Sequence, residues 1–118
     1  MQPKLVPLRI SSGWSVGYNN FLEISTEDFI DDTYPYEWDL NEDILQFSNE
    51  YRKRILDLGW YPSSNPKGQY RIVLIELCED EDQAEKWDSP LFQYCSRDTN
   101  DIKDKINFVL QEVATGRL

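Results

Sequence analysis

The chain has 118 residues, the size of one ordinary domain, and 40% of them are hydrophobic, so a core can form without disulfide or metal staples. Against 12 basic residues stand 22 acidic ones, a formal charge of −10 that argues against direct contact with phosphate backbones or anionic membranes. Histidine is missing altogether, and with it the commonest general base and the commonest metal ligand, which favours binding over catalysis.

Met1 is followed by no apolar targeting segment, since Pro3 and Pro7 interrupt it, and no stretch approaches the roughly 20 apolar residues of a membrane helix. The expectation is a soluble cytoplasmic protein. Leu5 to Ile10 reads as an edge strand or extended arm because of Pro7, and Ser11-Ser12-Gly13 as a turn. From Trp14 to Ile24 the pattern is strand-like, with Gly17 or Asn19-Asn20 supplying a bulge or hairpin turn. Alternation places Trp14, Val16 and Tyr18 on one face.

Ser25 to Asn41 reads as a loop containing one helical turn, capped by Thr26, running through Phe29 and Ile30, and broken by Asp31-Asp32 and Pro35. Ile44, Phe47, Tyr51, Ile55 and Leu58 recur at steps of three and four. This spacing predicts a helix from an Asn41 N-cap to about Lys53, followed by a strand over Arg54 to Tyr61. Pro62 to Gly68 is a turn, and Tyr70 to Leu77 a strand apolar on both faces, hence central and covered on both sides. A second acidic loop carries Glu79, Asp80, Glu81, Asp82, Glu85 and Asp88. A short strand, Leu91 to Ser96, precedes a C-terminal helix with Asp98 or Thr99 as N-cap, an apolar stripe of Ile102, Ile106, Val109, Leu110 and Val113, and Gly116 as its stop. The expected fold is a single α+β domain over residues 1–118: an antiparallel sheet of about four strands with the C-terminal helix on one face. Trp60, Ile72, Leu74, Ile106 and Leu110 are its predicted core.

Chemistry-bearing patterns are sparse. Cys78 and Cys95 form no C-x-x-C and read as thiols packed in strands. The acidic clusters lack the central Gly of a calcium loop, no base stands beside a nucleophile, and neither a nucleophile elbow nor a phosphate-binding Gly-rich loop is present. No cofactor or metal is expected. A carboxylate pair in a cleft would be needed for glycosidase-like hydrolysis, which a layered domain of this size seldom offers. Arg52-Lys53-Arg54, with Arg71, is the only basic cluster and is expected to pair with the acidic run.

That run is the distinctive feature. Between Ile10 and Tyr51 lie Glu23, Glu27, Asp28, Asp31, Asp32, Glu37, Asp39, Glu42, Asp43 and Glu50, with no Lys or Arg, interleaved with aromatic rings. Disordered acidic tails are poor in aromatics, so this segment both folds and projects a negative field suited to a basic partner. The partner-binding candidates are Asp31, Asp32, Tyr34, Tyr36, Glu37, Trp38, Asp39, Glu42 and Asp43, with Tyr34, Tyr36 and Trp38 as exposed aromatic anchors. For any single carboxylate, a solvated face is the plainer account.

Leu8-Arg9-Ile10-Ser11-Ser12-Gly13-Trp14, Leu56-Asp57-Leu58-Gly59-Trp60-Tyr61-Pro62 and Ser89-Pro90-Leu91 resemble stretches of small bacterial immunity-type proteins encoded beside polymorphic or contact-dependent toxins. The likeness runs loosely from Leu8 to Leu110. It implies a cytoplasmic protein, monomeric or weakly dimeric, that neutralises a cognate toxin, commonly a nuclease, without itself touching nucleic acid. The alternatives are a regulatory or structural interaction module without a toxin partner, and a small carboxylate-dependent hydrolase.

Overall fold

The computed structural model describes residues 2–79 and 82–118. Five strands form one antiparallel meander in sequence order: β1 (Ser15–Asn19), β2 (Leu45–Asn49), β3 (Arg54–Tyr61), β4 (Gln69–Glu76) and β5 (Phe92–Ser96). A one-turn helix α1 (Gln83–Lys86) lies between β4 and β5, and α2 (Thr99–Ala114) follows β5. Cross-strand neighbours share a face, so the register sets the core in rows. Leu45, Leu58, Ile72 and Tyr94 form one row, and Phe47, Leu56, Leu74 and Phe92 the next. Over them lies the stripe of α2, whose Ile102, Ile106, Val109, Leu110 and Val113 are all fully buried. Asp98 caps this helix by accepting from Asn100 N, and Gly116 ends it at φ 80°. The predicted α+β layering and all five predicted core residues are present, Trp60 included.

The sheet has five strands rather than about four because residues 45–49 extend instead of coiling. The steps of three and four that predict a helix over 41–53 coexist with a period of two in Leu45, Phe47 and Asn49, which are buried, while Gln46 and Ser48 face outward. Tyr51 decides between the two periods: a helical stripe would bury it, yet it is 83% exposed at the tip of the β2–β3 turn. Lys53 closes that turn at φ 59°, and Asn49 Oδ1 accepts from Arg52 N. Asn41 caps no helix; its Oδ1 accepts from Asp43 N and its amide donates to Trp38 O.

Gly17 forms a bulge in β1, as its position suggests, and the bulge reverses the predicted facing. Val16 pairs with Phe47 on the core face, whereas Tyr18 pairs with Gln46 on the outer face. The two residues therefore do not share a side. Thr26 is likewise no cap: it is 3% exposed and its hydroxyl donates to Arg97 O, while Ser25 precedes the 3-10 turn of Thr26–Asp28. The opening segment is the expected extended arm, bridged at Leu5 to Leu22 and bonded through Val6 N to Phe21 O.

On the outer face, Ile55, Val73 and Ile75 make a second small cluster with Leu77. The α1 segment is moored beside it: Gln83 donates to Glu76 O and accepts from Cys78 N, and Lys86 pairs with Glu76. So β4 is covered on both faces at this end. The basic cluster takes other partners than the acidic run. Arg52 donates to Ala114 O and Arg54 to Leu118 O, where a cation suits the carbonyl end of α2, and Lys53 pairs with Glu79. Cys95 sits exposed on β5 and Cys78 just beyond β4, in no disulfide among the described residues.

Candidate functional site

The loop from Ser25 to Asp43 is held from beneath by aromatic packing and by main-chain bonds. Trp60 is fully buried and donates to Asn65 O at 2.9 Å. Phe29 lies on it, ring centroids 5.9 Å apart, and Tyr34 stacks on Phe29 at 4.9 Å. The Tyr34 hydroxyl donates to Ser25 O at 2.8 Å, closing the first half of the loop. The second half is pinned where Leu40 O accepts from Ser64 N and Asn41 O from Trp60 N. Gly59 permits this approach, since a Cβ there would lie 2.5 Å from Glu42 O.

Arg97 ties the assembly together. One guanidinium nitrogen donates to Pro66 O and Gly68 O, and the other to Thr26 O and Phe29 O. This residue escapes a reading by charge pattern because it forms no run, and it makes no ion pair among the described residues. The local cue is its place directly before the N-cap of α2, where the helix dipole disfavours a cation.

The nine candidates divide accordingly. Tyr34, expected at the rim, is 8% exposed and belongs to the core, because its ring completes the stack on Phe29 and its hydroxyl is spent on Ser25. Tyr36 is half-buried, edge-on to Tyr34 at 5.6 Å. Trp38 is 77% exposed, as is Ile30 on the neighbouring turn. Asp31, Asp32, Glu42 and Asp43 are exposed, and Glu37 and Asp39 partly so. Asp31 accepts from the Thr33 amide and hydroxyl, which hold its carboxyl below the usual range. Asp39 accepts from Asn20. Asp43 meets the outer face of the sheet, where it bonds Tyr18; burial, with Asp57 and Asp43 nearby, pushes the Tyr18 phenol up to about 12. Asp57 itself is pushed above the usual carboxyl range by burial, although Gln46 donates to it at 3.1 Å.

Among the described residues the ion pairs are Lys53–Glu79, Lys86–Glu76 and Arg117–Glu112. None involves a carboxylate of the run between Ile10 and Tyr51, so its negative charge is left to solvent. Glu79, bound to Lys53, lies at the opposite end of β3 from this loop, about 23 Å away along the strand. The two acidic loops therefore make two surfaces; Asp80 and Glu81 of the second lie outside the described residues. Among the described residues no group of three or more Cys, Asp or Glu is placed to hold a metal ion, and no helix is long and apolar enough to cross a membrane. No protein-family model, curated protein or solved structure matches the chain.

Proposed function

We propose that this is a non-enzymatic binding protein of the immunity type, which covers a basic site on a protein toxin with its loop from Ser25 to Asp43. The observation that carries the reading is Trp38: a ring 77% exposed, on a loop held at its base by Arg97 and Trp60, and flanked by carboxylates that have no counter-ion among the described residues. A rigid aromatic side chain loses little conformational freedom on binding and supplies a large contact area, which is why such rings anchor interfaces. The surrounding carboxylates complement Lys and Arg on the partner and accelerate encounter. A toxin that handles nucleic acid presents such cations around its active groove, and carboxylates set there take the place of phosphates.

The test is capture from the native host with the wild-type chain and with Trp38→Ala, followed by growth of cells producing the captured partner with and without this protein. A basic partner that is retained only by the wild type, and whose toxicity is relieved by it, supports the reading. A retained partner with no toxicity makes the protein an interaction module, and retention unaffected by Trp38→Ala moves the binding surface off this loop.

A further inference from the structure

We propose that the chain also pairs with a second copy of itself through β5, edge to edge and antiparallel about a two-fold axis, so that the sheet continues across the dimer. The meander has two edges, β1 and β5. An edge strand directs alternate N–H and C=O groups away from its sheet, and proteins that avoid association blunt it with charge, proline, a bulge or a covering segment. β1 is blunted in this way by the Gly17 bulge, which breaks its register with β2.

Among the described residues, β5 carries no charge, proline or bulge of its own and no covering main-chain segment. Its register with β4 is unbroken from Leu74–Phe92 to Tyr70–Ser96. The sequence Phe92-Gln93-Tyr94-Cys95-Ser96 has no charge, no proline and no glycine, in a chain of net charge −10. Among the described residues, no main-chain hydrogen bond reaches it from any segment other than β4.

The surroundings of the strand select a second copy as its occupant. Asp101 and Lys105 stand one turn apart on the side of α2 that flanks β5: Asp101 accepts from the Tyr94 hydroxyl, and Lys105 Nζ lies 4.8 Å from the Tyr94 ring centroid. Two-fold pairing centred near Tyr94 sets the two copies of α2 antiparallel, so that Asp101 of each copy faces Lys105 of the other. The patch is thus self-complementary in charge, as an isologous interface requires. Leu91 and Phe108, each 48% exposed, border the strand and would be covered by the same contact. The alternative self-pairing, β5 on the β1 edge of another copy, would propagate without closing and would have to accommodate the bulge.

Sedimentation equilibrium of the full chain over rising concentration tests this. The wild type is expected to dimerise reversibly. In the double variant Gln93→Lys with Cys95→Lys, each new cation faces its counterpart across the axis, and the dimer dissociation constant should rise about tenfold or more. Val16→Lys on β1 should leave it unchanged. Because the double variant adds charge to a strand, a second measurement stands beside it. Gln93→Cys sets a thiol opposite Cys95 of the other copy, and mild oxidation should give a covalent dimer. A wild type that stays monomeric throughout, a dimer dissolved by Val16→Lys, or no covalent dimer from Gln93→Cys would each overturn the proposal.

Discussion

The guanidinium carbon of Arg97 sits 5.1 Å from the centroid of the Trp60 ring, so one cation covers the largest buried side chain and bonds four carbonyls around it. Those carbonyls come from the β3–β4 turn and from the first half of the acidic loop. The arrangement makes the loop part of the core rather than an appendage.

Truncating this residue should therefore act at a distance. Arg97→Met leaves the carbonyls of Pro66, Gly68 and Phe29 without this donor, while Thr26 O keeps the Phe29 N–H, and global stability should fall by about 2–4 kcal/mol in urea titrations. Arg97→Lys should recover only part of the loss, since an ammonium cannot reproduce the planar fork. Full recovery by lysine would mean that charge alone, rather than geometry, holds the loop.

In the core proper, Leu74 and Ile106 are fully buried on facing elements. Replacing either with Ala should lower stability by about 2–5 kcal/mol, through lost burial and the cavity left behind. A loss under about 1 kcal/mol at both positions would show that α2 and β4 are not packed on one another.

Asp57 and Asp31 titrate with opposite consequences. Burial raises the folded-state pKa of Asp57 above its unfolded value, so the folded protein binds more protons there and stability falls as pH rises through that interval. Asp57→Asn keeps an acceptor for Gln46 and should be more stable than the wild type at neutral pH. The gap should close as pH drops below the ordinary carboxyl value. Asp31 behaves in reverse: its lowered pKa contributes stability above the unfolded value that is lost as pH falls through the folded one. Thermal melts of Asp57→Asn and wild type across acidic to neutral pH check the first claim, which fails if the two curves stay parallel.

Much of the fold is legible in the sequence because local signals agree. Ile55 to Tyr61 alternates well enough for a strand, Pro62 to Gly68 concentrates turn residues, and α2 carries both a cap and a stop. Residues 45–49 are not legible, because Ile44, Phe47 and Tyr51 satisfy a helical period while Leu45 and Phe47 satisfy a strand period. Only the non-local demand for a strand between β1 and β3 resolves the choice. Tyr34 fails for a related reason: nothing local distinguishes a rim tyrosine from one whose ring closes a stack on Phe29. The aromatic content of the acidic run is thus shared, with Phe29 and Tyr34 building the loop and Trp38 left at its surface.

This division makes the loop testable ring by ring. Tyr34→Phe removes the bond to Ser25 and should cost about 1 kcal/mol of stability, with little direct effect on the partner. Trp38→Ala should leave the melting temperature almost unchanged and shorten the lifetime of the complex about 30-fold or more, as expected when a central aromatic anchor is lost. Neutralising Asp31, Asp32, Glu37 and Asp39 together as Asn or Gln should instead slow association, because exposed charges steer the encounter more than they hold the complex. That deficit should shrink as added salt shortens the screening length of about 8 Å at physiological ionic strength. Stopped-flow kinetics with the captured partner at two salt concentrations separates the two effects. Equal association rates for the parent and the neutralised variant, with no salt dependence in either, would place the binding surface elsewhere on the molecule.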